Sequence, residues 1–221
     1  MANISDANGR FTIHAQNLQT IKEIIHLMQY LEIGEYCTYF TDFHQDDNQF
    51  DSKIIELDNC QYEFETDFSA SGRWTYQTNI ERMADWIMCE VKHQEDPQDP
   101  IILNHLVNEE YSIEFEYTDY EPGCEVFADM LVLFEHHKGD EFNKNKVNVC
   151  ECNDIEKTVV NFANKMGYSF DEVMYELYLW GDCFEDLEKE RQEEIIEELN
   201  PQISAIEAYY GKSFAELMAT A

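Results

Sequence analysis

Lysine and arginine are scarce. There are 14 of them in 221 residues, against 47 aspartates and glutamates, for a formal net charge of −33. So unbalanced a chain repels nucleic acid and anionic membranes, which argues against direct binding of either. It attracts basic surfaces and can steer association with them. No apolar run reaches 18 residues, so no transmembrane helix is expected. The opening MANISDANGR has neither a basic n-region nor an apolar h-region, so no secretory signal is expected. The cysteines (37, 60, 89, 124, 150, 152, 183) are odd in number and lack framework spacing. That pattern fits reduced thiols in a cytosol.

Chemical motifs are also missing. There is no Gly-rich phosphate loop, no G-x-S-x-G and no H-E-x-x-H. Carboxylates are so abundant that no single pair stands out as a general acid and base. Cys150-x-Cys152 has no second pair at zinc-finger spacing. His136 and His137 are adjacent in a loop, where consecutive side chains seldom converge. The stretch DDNQFD (46–51) begins like a calcium loop. It lacks Gly at its sixth position and has Leu57 where a bidentate Glu belongs. The expectation is a protein that is not an enzyme and holds no cofactor or metal.

What is present can build a core. Apolar residues make up 44% and aromatics 14%, enough for a chain of this length to fold. The surplus of Glu over Asp and the many large apolar residues count against a halophilic origin of the charge.

Period and punctuation give the elements. Arg10–Ala15 reads as a first strand. Asn17 caps a helix with Leu18, Ile21, Ile25 and Met28 on one face and Gly34 past its end. Residues 35–43 read as a strand. Residues 53–68 read as a hairpin turning at Asp58-Asn59. Thr78 and Glu81 form a capping box ahead of a stripe of Ile80, Met83, Ala84, Ile87 and Val91. QEDPQDP (94–100) is a loop. Two strands flank Glu121-Pro122-Gly123, a type II turn signal. HHKGDEFNKNK (136–146) is a loop, and VNVCEC a last strand.

From Asn153 the pattern is helical only. Starts are expected at Asn153 with Glu156, Ser169 with Glu172, Asn200-Pro201, and Ser213 with Glu216. MGYSFDEVM (166–174) is echoed 44 residues later by YGKSFAELM (210–218), which suggests two related helical hairpins. FANKMGYSFDEVMYELYLWG (162–181) resembles a helix-turn-helix, but it offers Asp171, Glu172 and Glu176 where a DNA reader needs cations or amides. The expected class is therefore α+β: an antiparallel sheet with both helices on one face over residues 1–152, then a helical domain over 153–221.

Two segments resemble the YubB-like domain of plasmid and phage proteins. YEFETDFSASGRW (62–74) carries Phe64-Glu65-Thr66, and YSIEFEYTDYEPGCEVF (111–127) ends in Glu121-Pro122-Gly123. DFSAS stands where that family has an aromatic-Ser-Pro-Pro stretch, and Tyr120 where it has Trp. The resemblance covers about residues 10–135. It implies a ferredoxin-like fold and a mobile-element origin, and it carries no catalytic residues.

The acidic strands carry the functional reading. In 62–68, Glu63, Glu65 and Asp67 alternate with Tyr62, Phe64, Thr66 and Phe68. In 111–117, Glu114 and Glu116 alternate with Tyr111, Ile113, Phe115 and Tyr117. Side chains on a strand alternate faces, so the acids share a face away from the aromatics. With the two strands side by side, like charges would stand opposite each other, an arrangement that destabilises unless it has a use. A second acidic block, 182–200, reads as a helix bearing Glu185, Glu188, Glu193 and Glu197. Phe184, Leu187, Ile195, Ile196 and Leu199 form its apolar face.

These residues point to a non-enzymatic inhibitor that mimics nucleic acid. Its expected partner is a basic nucleic-acid-binding protein of a host defence system, of the CRISPR or restriction type, with nearby aromatics as anchors. The alternative is an adaptor or structural protein that binds through its C-terminal helical hairpins.

Overall fold

The computed structural model describes residues 4–32, 51–57, 61–73, 75–94, 96–121, 126–144, 146–169, 172–174, 186–213 and 216. The chain divides into two compact units, Met1–Asp154 and Ile155–Ala221. The expected strand at 35–43 and the turn residues Asp58, Asn59, Pro122 and Gly123 lie outside the described residues.

The first unit is α+β. Its strands are β1 (Ile4–Ala15), β2 (Ile54–Leu57), β3 (Gln61–Arg73), β4 (Tyr111–Glu121), β5 (Val126–His136) and β6 (Lys146–Asp154). Its helices are α1 (Leu18–Met28), α2 (Tyr76–Gln94) and α3 (Asp99–Leu106). The strands form one sheet of six in the order β2-β3-β1-β4-β5-β6, with every pair antiparallel. The hairpin of β2 and β3 pairs Leu57 with Gln61.

Period-two alternation builds the core. Phe11 and Ile13 of β1, Phe64 and Phe68 of β3, Ile113 and Phe115 of β4, and Val132 and Phe134 of β5 are all buried on one face. Phe11 and Phe115 are opposite each other in the ladder, with ring centroids 5.2 Å apart. The helices cover this face with Ile21, Ile24, Ile25 and Leu27 of α1 and the stripe Ile80, Met83, Ala84, Ile87 and Val91 of α2.

Several helix boundaries differ from the sequence reading. Asn17 does cap α1, accepting the Thr20 N–H at 2.8 Å, but Leu18 is 38% exposed and off the buried face. At α2 the helix begins at Tyr76, so Thr78 lies in its first turn and does not cap it. The Tyr76 N–H finds its acceptor in Asp119 of β4 at 3.0 Å, a cap from a distant element that local sequence does not reveal. Ser5 donates to the other oxygen of the same carboxylate. Part of the 94–100 loop is helical, because Pro100 fits the first turn of α3, where no N–H is needed. β1 starts six residues earlier than Arg10, at Ile4.

The second unit contains α4 (Val159–Met166) and α5 (Lys189–Tyr210). Asn153 does not start a helix: it pairs with Asp129 in the sheet, and Thr158 caps α4 by accepting the Asn161 N–H at 3.1 Å. Asn200-Pro201 starts no helix either. α5 runs through Pro201, which lacks the N–H to bond residue 197. The apolar face bridges the defect, since Ile195 and Leu199 before the proline and Ile203 and Ile206 after it recur at helical spacing. α5 thus starts later and runs longer than the 182–200 block, and Ile196 is 45% exposed.

The two echoed segments share their local geometry. Gly167 and Gly211 end their helices at φ 69° and 64°, in the left-handed region that favours glycine. Ser169 N donates to Glu172 Oε2 at 2.7 Å, and Ser213 N to Glu216 Oε2 at 2.9 Å. These bonds hold both glutamate carboxyls below the ordinary range.

Candidate interaction surface

The ladder register places all five sheet acids on one face. Asp67 and Glu116 flank Arg10, Glu65 and Glu114 flank Thr12, and Glu63 and Ser112 flank His14. β3 and β4 are not side by side as the sequence reading has them, because β1 lies between them. No two of these five acids are therefore direct cross-strand partners. The two columns stand about 9.6 Å apart, twice the usual strand spacing, and successive acids within a column about 6.8 Å apart. The column on β3 runs about 14 Å, a length over which one strand of a duplex carries about four phosphates.

β1 contributes a cation, Arg10, and a histidine, His14, that the sequence reading missed. Arg10 Nη1 lies 3.4 Å from Glu65 Oε2, and Arg10 Nη2 lies 3.4 Å from Glu116 Oε2. Glu65, then Glu116 and Asp67, raise the Arg10 guanidinium further above its ordinary value. His14 Nδ1 lies 3.4 Å from Glu63. Arg10 and His14 alternate with buried Phe11 and Ile13, so the same period that exposed the acids could have found them. Five carboxylates thus surround one fixed cation and one histidine.

The aromatics cannot serve as anchors on this surface. Phe64, Phe68, Tyr111, Phe115 and Tyr117 are buried in the core, and Tyr62 packs against it. The apolar neighbours on the acidic face include Leu131 and Leu133 of β5, half-buried opposite Glu116 and Glu114, and Ile55 of β2, exposed opposite Glu63.

The acids of the second unit form a separate group. Glu188, Glu193 and Glu197 are exposed at the start and on the side of α5, and Glu185 lies outside the described residues. Lys189 pairs with Glu193 at 3.9 Å and Arg191 with Glu194 at 2.8 Å, so both cations of that turn are engaged.

His136 is not in a loop. It ends β5, 1% exposed, with its ring stacked 4.7 Å from that of Tyr111. Its Nδ1 lies 3.0 Å from the Glu109 carbonyl and its Nε2 3.1 Å from the Asp140 carbonyl, so both nitrogens are held by backbone. Cys150 and Cys152 are exposed on β6. Among the described residues, no helix is long and apolar enough to cross a membrane.

No family model, curated protein or solved structure matches the chain.

Proposed function

We propose that the acidic face of β3, β1 and β4 is a mimic of a polynucleotide backbone. The protein is read as a non-enzymatic inhibitor from a phage or other mobile element. Its partner is a host defence protein of the CRISPR or restriction type, whose basic groove it fills in place of nucleic acid. The observation that supports this reading most is the register: Glu63, Glu65, Asp67, Glu114 and Glu116 share one face, with Glu65, Asp67 and Glu116 exposed and Glu63 and Glu114 half-buried. Each column carries charge at about half the linear density of a duplex strand, so the face replaces a short stretch of backbone. Its energy is electrostatic, with Ile55 on one side and Leu131 and Leu133 on the other as the apolar border.

The fold fits the same origin. We read the strand order β2-β3-β1-β4, with α1 following β1 and α2 and α3 preceding β4 among the described residues, as a ferredoxin-like unit extended by β5 and β6. That reading agrees with the YubB-like resemblance of residues 62–74 and 111–127. The second unit is read as a helical domain of two hairpin-like modules. A second functional reading, an adaptor that binds through these helices, is favoured by the exposed Ile196 and Tyr210 of α5.

The test is charge reversal. Lysine at the five sheet positions abolishes inhibition of the partner if the mimicry reading holds, and leaves it intact if the helices carry the interaction.

A further inference from the structure

We propose that the junction of α1 and α3 is a binding site for one first-row divalent transition-metal ion, held by His26, Asp96 and Asp99. His26 lies in the last turn of α1, Asp99 opens α3, and Asp96 stands three residues before it. One imidazole and two carboxylates offer ligand atoms that all lie within 4.8 Å of one another. His26 Nε2 is 3.0 Å from Asp99 Oδ1. A tetrahedral ion with bonds of about 2.0–2.2 Å sets its ligands about 3.4 Å apart. That pair is therefore near chelating distance, and Asp96, whose Oδ1 also accepts the Gln98 N–H at 2.8 Å, stands within reach as the third ligand.

Asp99 is the buried member of the set. Its side chain is wholly buried, and its contacts are His26 and the phenol of Tyr30. No lysine or arginine pairs with it among the described residues. A buried carboxylate is stable only when its charge is compensated. His26, 3.0 Å away, is its ring partner, and the N-terminus of α3 adds a partial positive charge. A divalent ion compensates Asp99 and Asp96 together.

Tyr30 acts as a positioning residue. Its hydroxyl donates to Asp99 Oδ2 at 2.6 Å and its ring meets His26 edge-on, with centroids 6.0 Å apart. Outer partners of this kind fix the orientation of metal-binding carboxylates. The donor set selects the ion class. One nitrogen and two carboxylates suit zinc, cobalt, nickel or ferrous iron, without the thiolates that select cuprous copper or the oxygen count that calcium needs. The nearby His105 is different. Its Nδ1 lies 2.5 Å from Glu23 and its Nε2 3.3 Å from Glu109, so its carboxylates lie at opposite ends of the ring and do not converge on one point.

The test titrates the chelator-stripped full chain with Co²⁺, read by calorimetry and by visible absorption. The proposal expects one ion per chain with a nitrogen-and-oxygen spectrum. His26→Gln and Asp96→Asn each weaken it at least tenfold, and Tyr30→Phe weakens it about 10–100-fold. His105→Gln leaves it unchanged. Asp96 is only half-buried, so its variant keeps the fold, which circular dichroism checks. No stoichiometric ion, a thiolate charge-transfer band from the cysteines, or equal affinity in the His26 and Asp96 variants overturns the proposal.

Discussion

Arg10 reaches Glu65, the diagonal neighbour, and not Asp67, the residue paired with it in the ladder. Its second nitrogen reaches Glu116 on the other side. One guanidinium therefore ties the two acidic columns together and lowers their mutual repulsion. Both ends of the Arg10–Glu65 pair are about half exposed, so salt screens the effect.

Arg10→Gln is accordingly expected to change folding stability little, with the change shrinking as salt rises. The same variant makes the face more negative. It is expected to tighten binding to the basic partner at low salt and steepen the salt dependence. Urea midpoints and affinities at two ionic strengths check both statements.

Asp119 sets a pH dependence. Burial pushes its carboxyl up to about 6, against the opposing bonds from Ser5 and the Tyr76 N–H. In the unfolded chain the group titrates near its ordinary value of 3.8. Between those values the native state holds a proton that the unfolded state has released. The stability from this group is full below about 3.8 and is lost as pH rises to about 6. A gap of about two pH units corresponds to about 3 kcal/mol. Asp119→Asn does not titrate, so relative to wild type it gains about that much between pH 3.5 and pH 7. Urea unfolding across that range measures the difference, and a flat difference contradicts the assignment.

Tyr111 and Tyr117 bury hydroxyls that have no hydrogen-bond partner among the described residues. Each leaves a desolvated polar group inside an apolar core, and burial pushes both phenols up. Tyr111→Phe and Tyr117→Phe remove that penalty without changing ring packing. Each is expected to stabilise the protein by about 1 kcal/mol, read from denaturant unfolding.

Gly167 and Gly211 occupy the left-handed region at the ends of α4 and α5. Gly167→Ala and Gly211→Ala should each destabilise the second unit by about 1–2 kcal/mol. Hydrogen exchange resolves the effect by unit, with amides of α4 or α5 losing protection and those of β1 and β4 unchanged.

The sequence exposed alternation well and adjacency poorly. Period two in 62–68 and 111–117 is a local property, so the shared face of Glu63, Glu65 and Asp67 could be read directly. That β1 lies between β3 and β4 depends on long-range pairing, which no local window contains. The same limit hid the Asp119 cap on Tyr76 and the approach of His26 to Asp99, contacts between residues 43 and 73 positions apart. The errors at Asn153 and Asn200-Pro201 are of another kind. Common helix-start chemistry was present, and it was overridden by pairing with β5 in one case and by a continuous apolar face in the other.

The most direct test measures displacement of a labelled oligonucleotide from the basic groove of a host defence nuclease. It compares wild type with two variants of equal charge change. One carries lysine at Glu63, Glu65, Asp67, Glu114 and Glu116. The other carries lysine at Glu188, Glu190, Glu193, Glu197 and Glu198. The account predicts that wild type displaces the oligonucleotide, less well as salt rises, and that the sheet variant loses this ability far more than the helix variant. Displacement by the sheet variant at wild-type strength would contradict it.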